Sequence, residues 1–218
     1  VMGFQVKEDG NWRSFRHRNY RILFPANAVS NIGSWAQRIA QDWLVLELTN
    51  NNGAYLGLVT AVQFAPVLAF SLHGGKLADR FNKRKVLILT NIIGGTASLA
   101  LGALVMTDLI ALWHVFLLAG ILGISTAIDA PVRQAFTTEV VGQTDLPNAV
   151  SLNSANFNAG RLVGPAISGG LIAAFGTGPS FIVNGLSYFF VIAALMNLNE
   201  KGFFHQDRPK SDGRIREG

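Results

Sequence analysis

Residues 75–107 read GKLADRFNKRKVLILTNIIGGTASLALGALVMT. The stretch has two halves of opposite chemistry. Residues 75–85 hold Lys76, Arg80, Lys83, Arg84 and Lys85 around a single acid, Asp79. Residues 86–107 contain no Asp, Glu, Lys or Arg. A bilayer core of roughly 30 Å is crossed by about 20 mainly apolar residues in a helix. A basic run that switches abruptly to such a segment predicts a membrane helix entered from its basic side.

Working outward, five further windows are mainly apolar: residues 22–46, 53–75, 109–128, 150–174 and 180–198, of which only 22–46 and 150–174 contain charges. Half of the 218 residues are hydrophobic and only 14% are charged, against about 25% in an ordinary soluble domain. Too little charge remains to solvate a soluble surface. The alternation over about 10 residues that marks a membrane β-barrel is absent. The expectation is an all-α polytopic membrane protein with six transmembrane helices spanning 22–198. A polar segment, 1–21, precedes them, and a polar linker, 199–218, follows. Residues 1–20 lack the short apolar core of a cleavable signal.

Lysine and arginine alternate by link. Lys7, Arg13, Arg16, Arg18 and Arg21 precede the first window, and the basic run lies between the second and third. Arg133 follows the fourth, and Lys201, Arg208, Lys210, Arg214 and Arg216 follow the sixth. The links near Thr49, Asp108 and Gly178 carry none. This predicts both termini on the cytoplasmic side of the inner (plasma) membrane. The net charge of +5 is then explained by membrane lipids as partners, without nucleic acid. The absence of cysteine excludes thiolate metal sites and cysteine nucleophiles. No glycine-rich phosphate loop precedes a Lys-Ser/Thr pair. No metal, cofactor or enzymatic reaction is expected.

The loop itself is more specific than a basic patch. Gly75, Leu77, Ala78, Asp79, Arg80 and Phe81, followed by Lys83, Arg84 and Lys85, resemble the signature loop of the major facilitator superfamily. Asn82 stands where that loop has glycine, and Lys83 where it has arginine. Asn82 is expected to keep the turn through a left-handed backbone. Gly33, Trp35, Gln37, the run from Trp43 to Thr49, Pro66, Gly74-Gly75, Pro131, Arg133, and Arg161 with Gly164-Pro165 resemble the branch holding enterobactin and macrolide exporters. The resemblance implies the N-terminal half of a transporter, built of two inverted three-helix repeats. Its expected partners are a C-terminal six-helix half, a small siderophore- or drug-like molecule, and protons. The implied activity is export by alternating access. An importer, or an accessory subunit without transport of its own, remains an alternative.

Polar groups inside the windows are the candidate transport cavity. Asn27, Asn31, Ser34, Arg38 and Asp42 fall within an arc of about 80° on the first helix. Such a stripe cannot face lipid; it faces a cavity or other helices. Arg38 and Asp42 are spaced to pair. On the fifth helix Ser151, Ser154, Asn158 and Arg161 share a face. Gly160 and Gly164 share a nearly opposite face, followed by Pro165 and by Gly169 and Gly170, a series that resembles in part a glycine–proline packing motif of proton-coupled exporters. Asp129, at the end of the fourth window, is expected to join Asp79, Arg80 and Lys83.

Overall fold

The structure, a computed structural model, describes residues 10–70 and 81–204. A 3-10 turn, Arg13–Arg16, leads into α1 (Arg18–Leu48) and α2 (Gly53–Phe70). Then come α3 (Lys83–Met106), α4 (Leu112–Phe175) and α5 (Gly178–Met196). The 64 residues of α4 would measure about 96 Å if straight, at 1.5 Å per residue. The helix bends at Gly142, whose φ of 73° lies in the left-handed region that side chains disfavour. Residues 112–141 and 143–175 are therefore two separate limbs.

Contacts fix the direction of each segment. Lys83 meets Glu139 and Thr90 meets Asp129, so α3 and limb 112–141 run antiparallel. Tyr20 meets Ala149, and Asn31 meets Asn156, so α1 and limb 143–175 run parallel. The chain therefore reverses at Gly142. Asn19 with Asn199, and Asn184 with Gln37, make α5 antiparallel to α1. Among the described residues three helices are long and apolar enough to cross a membrane: Lys83–Met106, Leu112–Phe175 and Gly178–Met196; Gly53–Ala69 is a shorter apolar helix.

Apolar packing falls into two clusters. One gathers Tyr20, Leu23, Leu87, Val132, Phe136, Val191 and Leu195 at the end where α3 begins. The other gathers Ala40, Leu44, Val59, Leu101, Val115 and Phe181 at the opposite end. Between them lies a belt of polar side chains.

The end beside the first cluster carries the charges. Asp145, only 1% exposed, receives Arg16 at 2.8 Å, His17 at 2.6 Å and Arg13 at 3.5 Å. Ser14 and Asn148 tie the same turn by hydrogen bonds. From the far end of the chain, Phe204 packs over Gly142 and against the His17 ring. Both ends of the described chain thus dock on the bend of α4.

Several boundaries differ from expectation. The fourth apolar window stops near residue 128, yet the helix continues to residue 141. Arg133 is therefore inside a helix and not in a link. Asn82 is not left-handed: its φ is −65°, and its side chain accepts from the Lys85 backbone N–H as the N-cap of α3. An N-cap satisfies one of the orphan donors of a helix start, a role in which asparagine ranks among the best residues.

Candidate functional site

The polar belt is built around Asp129 and Arg133, one turn apart on limb 112–141. Arg133 donates from Nε to Asp129 Oδ2 at 2.7 Å and from Nη2 to Oδ1 at 2.9 Å. This two-pronged fit is the strongest geometry a guanidinium and a carboxylate offer. Arg133 Nη1 also donates to Asn27 Oδ1 at 2.5 Å. Asp129 Oδ1 accepts from Thr90 Oγ1 at 2.8 Å and Asn91 Nδ2 at 3.2 Å. The ion pair therefore joins α1, α3 and α4. Asp129 does not join Lys83 as expected; Lys83 pairs with Glu139 at 2.8 Å. The pair was legible as Asp and Arg four apart on one helix, but only to a reading that carried the helix past residue 128.

One step along the belt, Asn184 of α5 donates to Gln37 Oε1 at 2.6 Å, and Ser34 reaches Asn184 Oδ1 at 3.5 Å. Gly33 admits this crossing, since a Cβ there would meet Asn184 Oδ1 at 2.7 Å. Asn31 donates to the Asn156 carbonyl at 2.7 Å, and Gln41 to Gln63 at 3.1 Å. The polar stripe of α1 thus divides among its neighbours: Asn27 to limb 112–141, Asn31 to limb 143–175, and Ser34 to α5.

Arg38 behaves differently. Its guanidinium carbon lies 5.1 Å from the Trp35 ring centre and 4.8 Å from that of Phe64 on α2. Asp42 is half-buried one turn on, and no ion pair joins the two among the described residues.

Limb 143–175 presents two faces. Gly160 and Gly164 are buried against α1. A Cβ at Gly164 would stand 2.5 Å from Trp35 Cβ and 2.9 Å from the Ile32 carbonyl. Pro165 is half-buried beside it. Gly169 and Gly170 differ: a Cβ at either would meet nothing within 4 Å among the described residues. The other face carries Ser151, Ser154, Asn158 and Arg161, all exposed. Ser151, Ser154 and Asn158 donate to carbonyls one turn back on their own helix. Arg161 has no hydrogen-bond or ion-pair partner among the described residues. Phe157, which sequence reading passed over, shares this face and meets the Trp35 ring edge-on at 5.5 Å.

Gly75, Leu77, Asp79 and Arg80 of the signature loop lie outside the described residues. Its basic end is described. Arg84 donates to the Leu195 carbonyl at 2.7 Å and the Met196 carbonyl at 2.9 Å, and pairs with Glu200 at 2.9 Å. It caps the C-terminus of α5, where orphan carbonyls and the helix dipole both favour a cation.

Apolar helices reversing direction around a polar belt, with an arginine on an open face that has no partner among the described residues, define a membrane-embedded helical protein. The chain belongs to the transmembrane secretion effector family of the major facilitator superfamily, whose profile matches residues 9–208. It is 28% identical over 182 residues to the staphyloferrin A transporter of Staphylococcus aureus, covering 83% of this chain and 46% of that protein. It is 23% identical to the enterobactin exporter EntS of Shigella flexneri, covering 84% and 45%. It is 24% identical to macrolide efflux protein A of Streptococcus pyogenes, covering 75% and 39%. The chain spans less than half the length of these curated relatives. Members of this superfamily are membrane transporters and not enzymes, which sets the chain in the plasma membrane and excludes a catalytic reading.

Proposed function

We propose that this chain is the N-terminal six-helix half of a secondary active exporter, proton-coupled, that moves a small organic molecule by alternating access. Residues 22–198 form the membrane half, as two inverted three-helix repeats, with 1–21 and 199–218 on the cytoplasmic side. The alternating directions of α3, the two limbs of α4 and α5, with α1 parallel to the second limb, support six spans. The gathering of Arg13, Arg16, Lys83 and Arg84 at one end supports that orientation.

The observation that carries the reading is the open face of limb 143–175. An arginine at the level of the bilayer interior costs about 2.5–3.5 kcal/mol on insertion scales. It is therefore expected to face water, substrate or protein rather than lipid. Limb 143–175 and α2 are the segments whose large apolar side chains are most openly displayed, with Leu162 78% and Leu68 76% exposed. A C-terminal six-helix half is the partner expected over these faces, with the transport path between the halves. Two of the relatives are named for enterobactin export and macrolide efflux, and efflux of a siderophore-like or drug-like molecule is the direction proposed here.

Reconstitution of the full-length protein tests this. A pH gradient should drive substrate flux, and Arg161→Ala should abolish flux while membrane insertion stays intact. Normal flux in that variant would move the transport path elsewhere. Absence of any flux would favour an accessory subunit.

A further inference from the structure

We propose that Asp42 is the proton-carrying group of this transporter and that Arg38 is the arm that answers to its charge. The arm lies on the Trp35 and Phe64 rings when the carboxyl is protonated and on the carboxylate when it is not. The proposal deepens the proton-coupled reading and rests on it.

The acids within the described helices differ in what holds them. Asp129 is gripped by the Arg133 fork, Thr90 and Asn91. Glu139 is held by Lys83, and Asp145 by Arg13, Arg16 and His17. Glu47 accepts from the Trp43 ring N–H. Asp42, half-buried near the Leu48 end of α1, has no hydrogen bond or ion pair among the described residues. A carboxylate locked to a fixed cation gains and loses a proton only by breaking that contact. One that is not locked, inside a membrane span, is free to cycle, and acids inside spans are the usual stations of proton relays.

The natural partner of Asp42 is within reach but held elsewhere. Arg38 lies one turn back on α1, the spacing at which side chains meet, and its charge acts on Asp42. Its guanidinium nevertheless rests 5.1 Å from the Trp35 ring centre and 4.8 Å from that of Phe64. Ring faces attract a cation, but less than a carboxylate does through two charge-assisted hydrogen bonds. A charged Asp42 would draw the guanidinium off the rings by a change of side-chain rotamer; a neutral one leaves it there. The guanidinium stays charged throughout. One proton taken from the side of the Asn50 turn converts the carboxylate to the neutral acid and frees the arm for the rings. Loss of that proton toward the other side brings the arm back. Trp35 is on α1 against Phe157 of limb 143–175, and Phe64 is on α2. The movement therefore makes and breaks a contact where three segments meet. Other titratable groups on the elements around α1 are Tyr55 on α2, His114, Asp129 and Arg133 on limb 112–141, Arg161 on limb 143–175 and Tyr188 on α5. Arg38 alone bears electrostatically on Asp42. Gly160 packs on Asn31 and Trp35, and Gly164 on Ile32, Trp35 and Ala36, which leaves Arg161 well short of Arg38 along α1.

The test is infrared difference titration of the full-length protein in lipid nanodiscs, with Trp35 followed by fluorine NMR after fluorotryptophan labelling and assigned through Trp35→Phe. A carboxylic C=O band should grow in on mild acidification. It should be missing in Asp42→Asn, while Asp42→Glu keeps a titrating band. The Trp35 signal should move with the same midpoint and stand still in Asp42→Asn and in Arg38→Gln. In Arg38→Gln the loss of a neighbouring cation should shift the midpoint of the band upward by about one pH unit or more. A titrating band that survives in Asp42→Asn unchanged, no titrating band at all, or a Trp35 signal that titrates without Asp42 or Arg38 overturns the proposal. Proteoliposomes with ethidium as a drug-like probe separate it from the reading beneath it. Asp42→Asn should lose most pH-gradient-driven flux and keep counterflow at equal pH; equal loss of both overturns the carrier role. Titration as expected, with counterflow but no gradient-driven flux in the unaltered protein, upholds the proton-dependent arm and removes proton coupling. Gradient-driven flux that persists in Asp42→Asn upholds proton coupling and removes Asp42 as its carrier.

Discussion

Arg133 answers to a carboxylate on its own helix and to an amide on α1, and the carboxylate answers in turn to two side chains of α3. Removing the cation alone therefore leaves a charge at Asp129 with only a hydroxyl and an amide to stabilise it. Arg133→Ala is expected to lower stability by about 3 kcal/mol, the penalty of stranding half of a largely buried pair. The double variant Asp129→Asn/Arg133→Gln should recover part of that loss. Thermal unfolding in detergent, compared across the three proteins, checks this; equal losses in the single and double variants would refute it. Arg84 makes a simpler case. Its fork caps two terminal carbonyls of α5, so Arg84→Ala should cost about 1–2 kcal/mol and increase hydrogen exchange in the last turn of α5. No change in that exchange would show the cap to be dispensable. The cap was not legible in the basic run of residues 83–85, because positive-inside charge and a helix cap draw on the same residue types.

At the scale of elements, the apolar windows overlap every α-helix among the described residues, because lipid and helix interiors both demand uncharged residues. They misplaced helix ends wherever a satisfied charge sits inside one. The fourth window stops at residue 128, just before Asp129, since an isolated acid reads as a membrane boundary; its neutraliser Arg133 falls in what the sequence reads as a link. The reversal at Gly142 was likewise hidden, because its signal is a single backbone angle. Limb 143–175 shows the converse. Its glycines looked alike in sequence, spaced for packing, but their surroundings differ. Gly164 lies against the α1 backbone, so Gly164→Ala must push α1 and limb 143–175 apart, with an expected cost of about 1–3 kcal/mol. Gly169→Ala has open space among the described residues and a better helix former in place of glycine, so within this half it should be neutral or stabilising by up to about 1 kcal/mol. Unfolding midpoints of the two variants check the contrast, and equal destabilisation would mean that both glycines are packing positions. A fall in transport with Gly169→Ala at unchanged stability of this half would point to a surface that another part of the full-length protein covers.

At the scale of the molecule, the distribution of charge separates two ends. Arg13, Arg16, Lys83, Arg84, Glu139, Asp145 and Glu200 cluster where α1 and α3 begin. The opposite end is formed by the turn at Asn50 and Asn51, the turn at Asp108 and the bend at Gly176, and carries no lysine or arginine. Positively charged segments resist translocation, so the first end should stay in the cytoplasm. The absence of native cysteine makes this directly measurable. Asn51 is exposed at the tip of the α1–α2 turn with φ of 63°. Cysteine there costs about 1–2 kcal/mol in a left-handed conformation, a strain that a turn at the protein surface can relax. Asn11, exposed just before the first helical turn, reports on the other end. In intact cells a membrane-impermeant maleimide should label Asn51→Cys and spare Asn11→Cys, and permeabilisation should expose the latter. The reverse pattern would invert the topology and return Arg16, His17 and Asp145 to the outer face. Labelling of both in intact cells would mean no net crossing between them and would require α1 to lie along the membrane instead of across it.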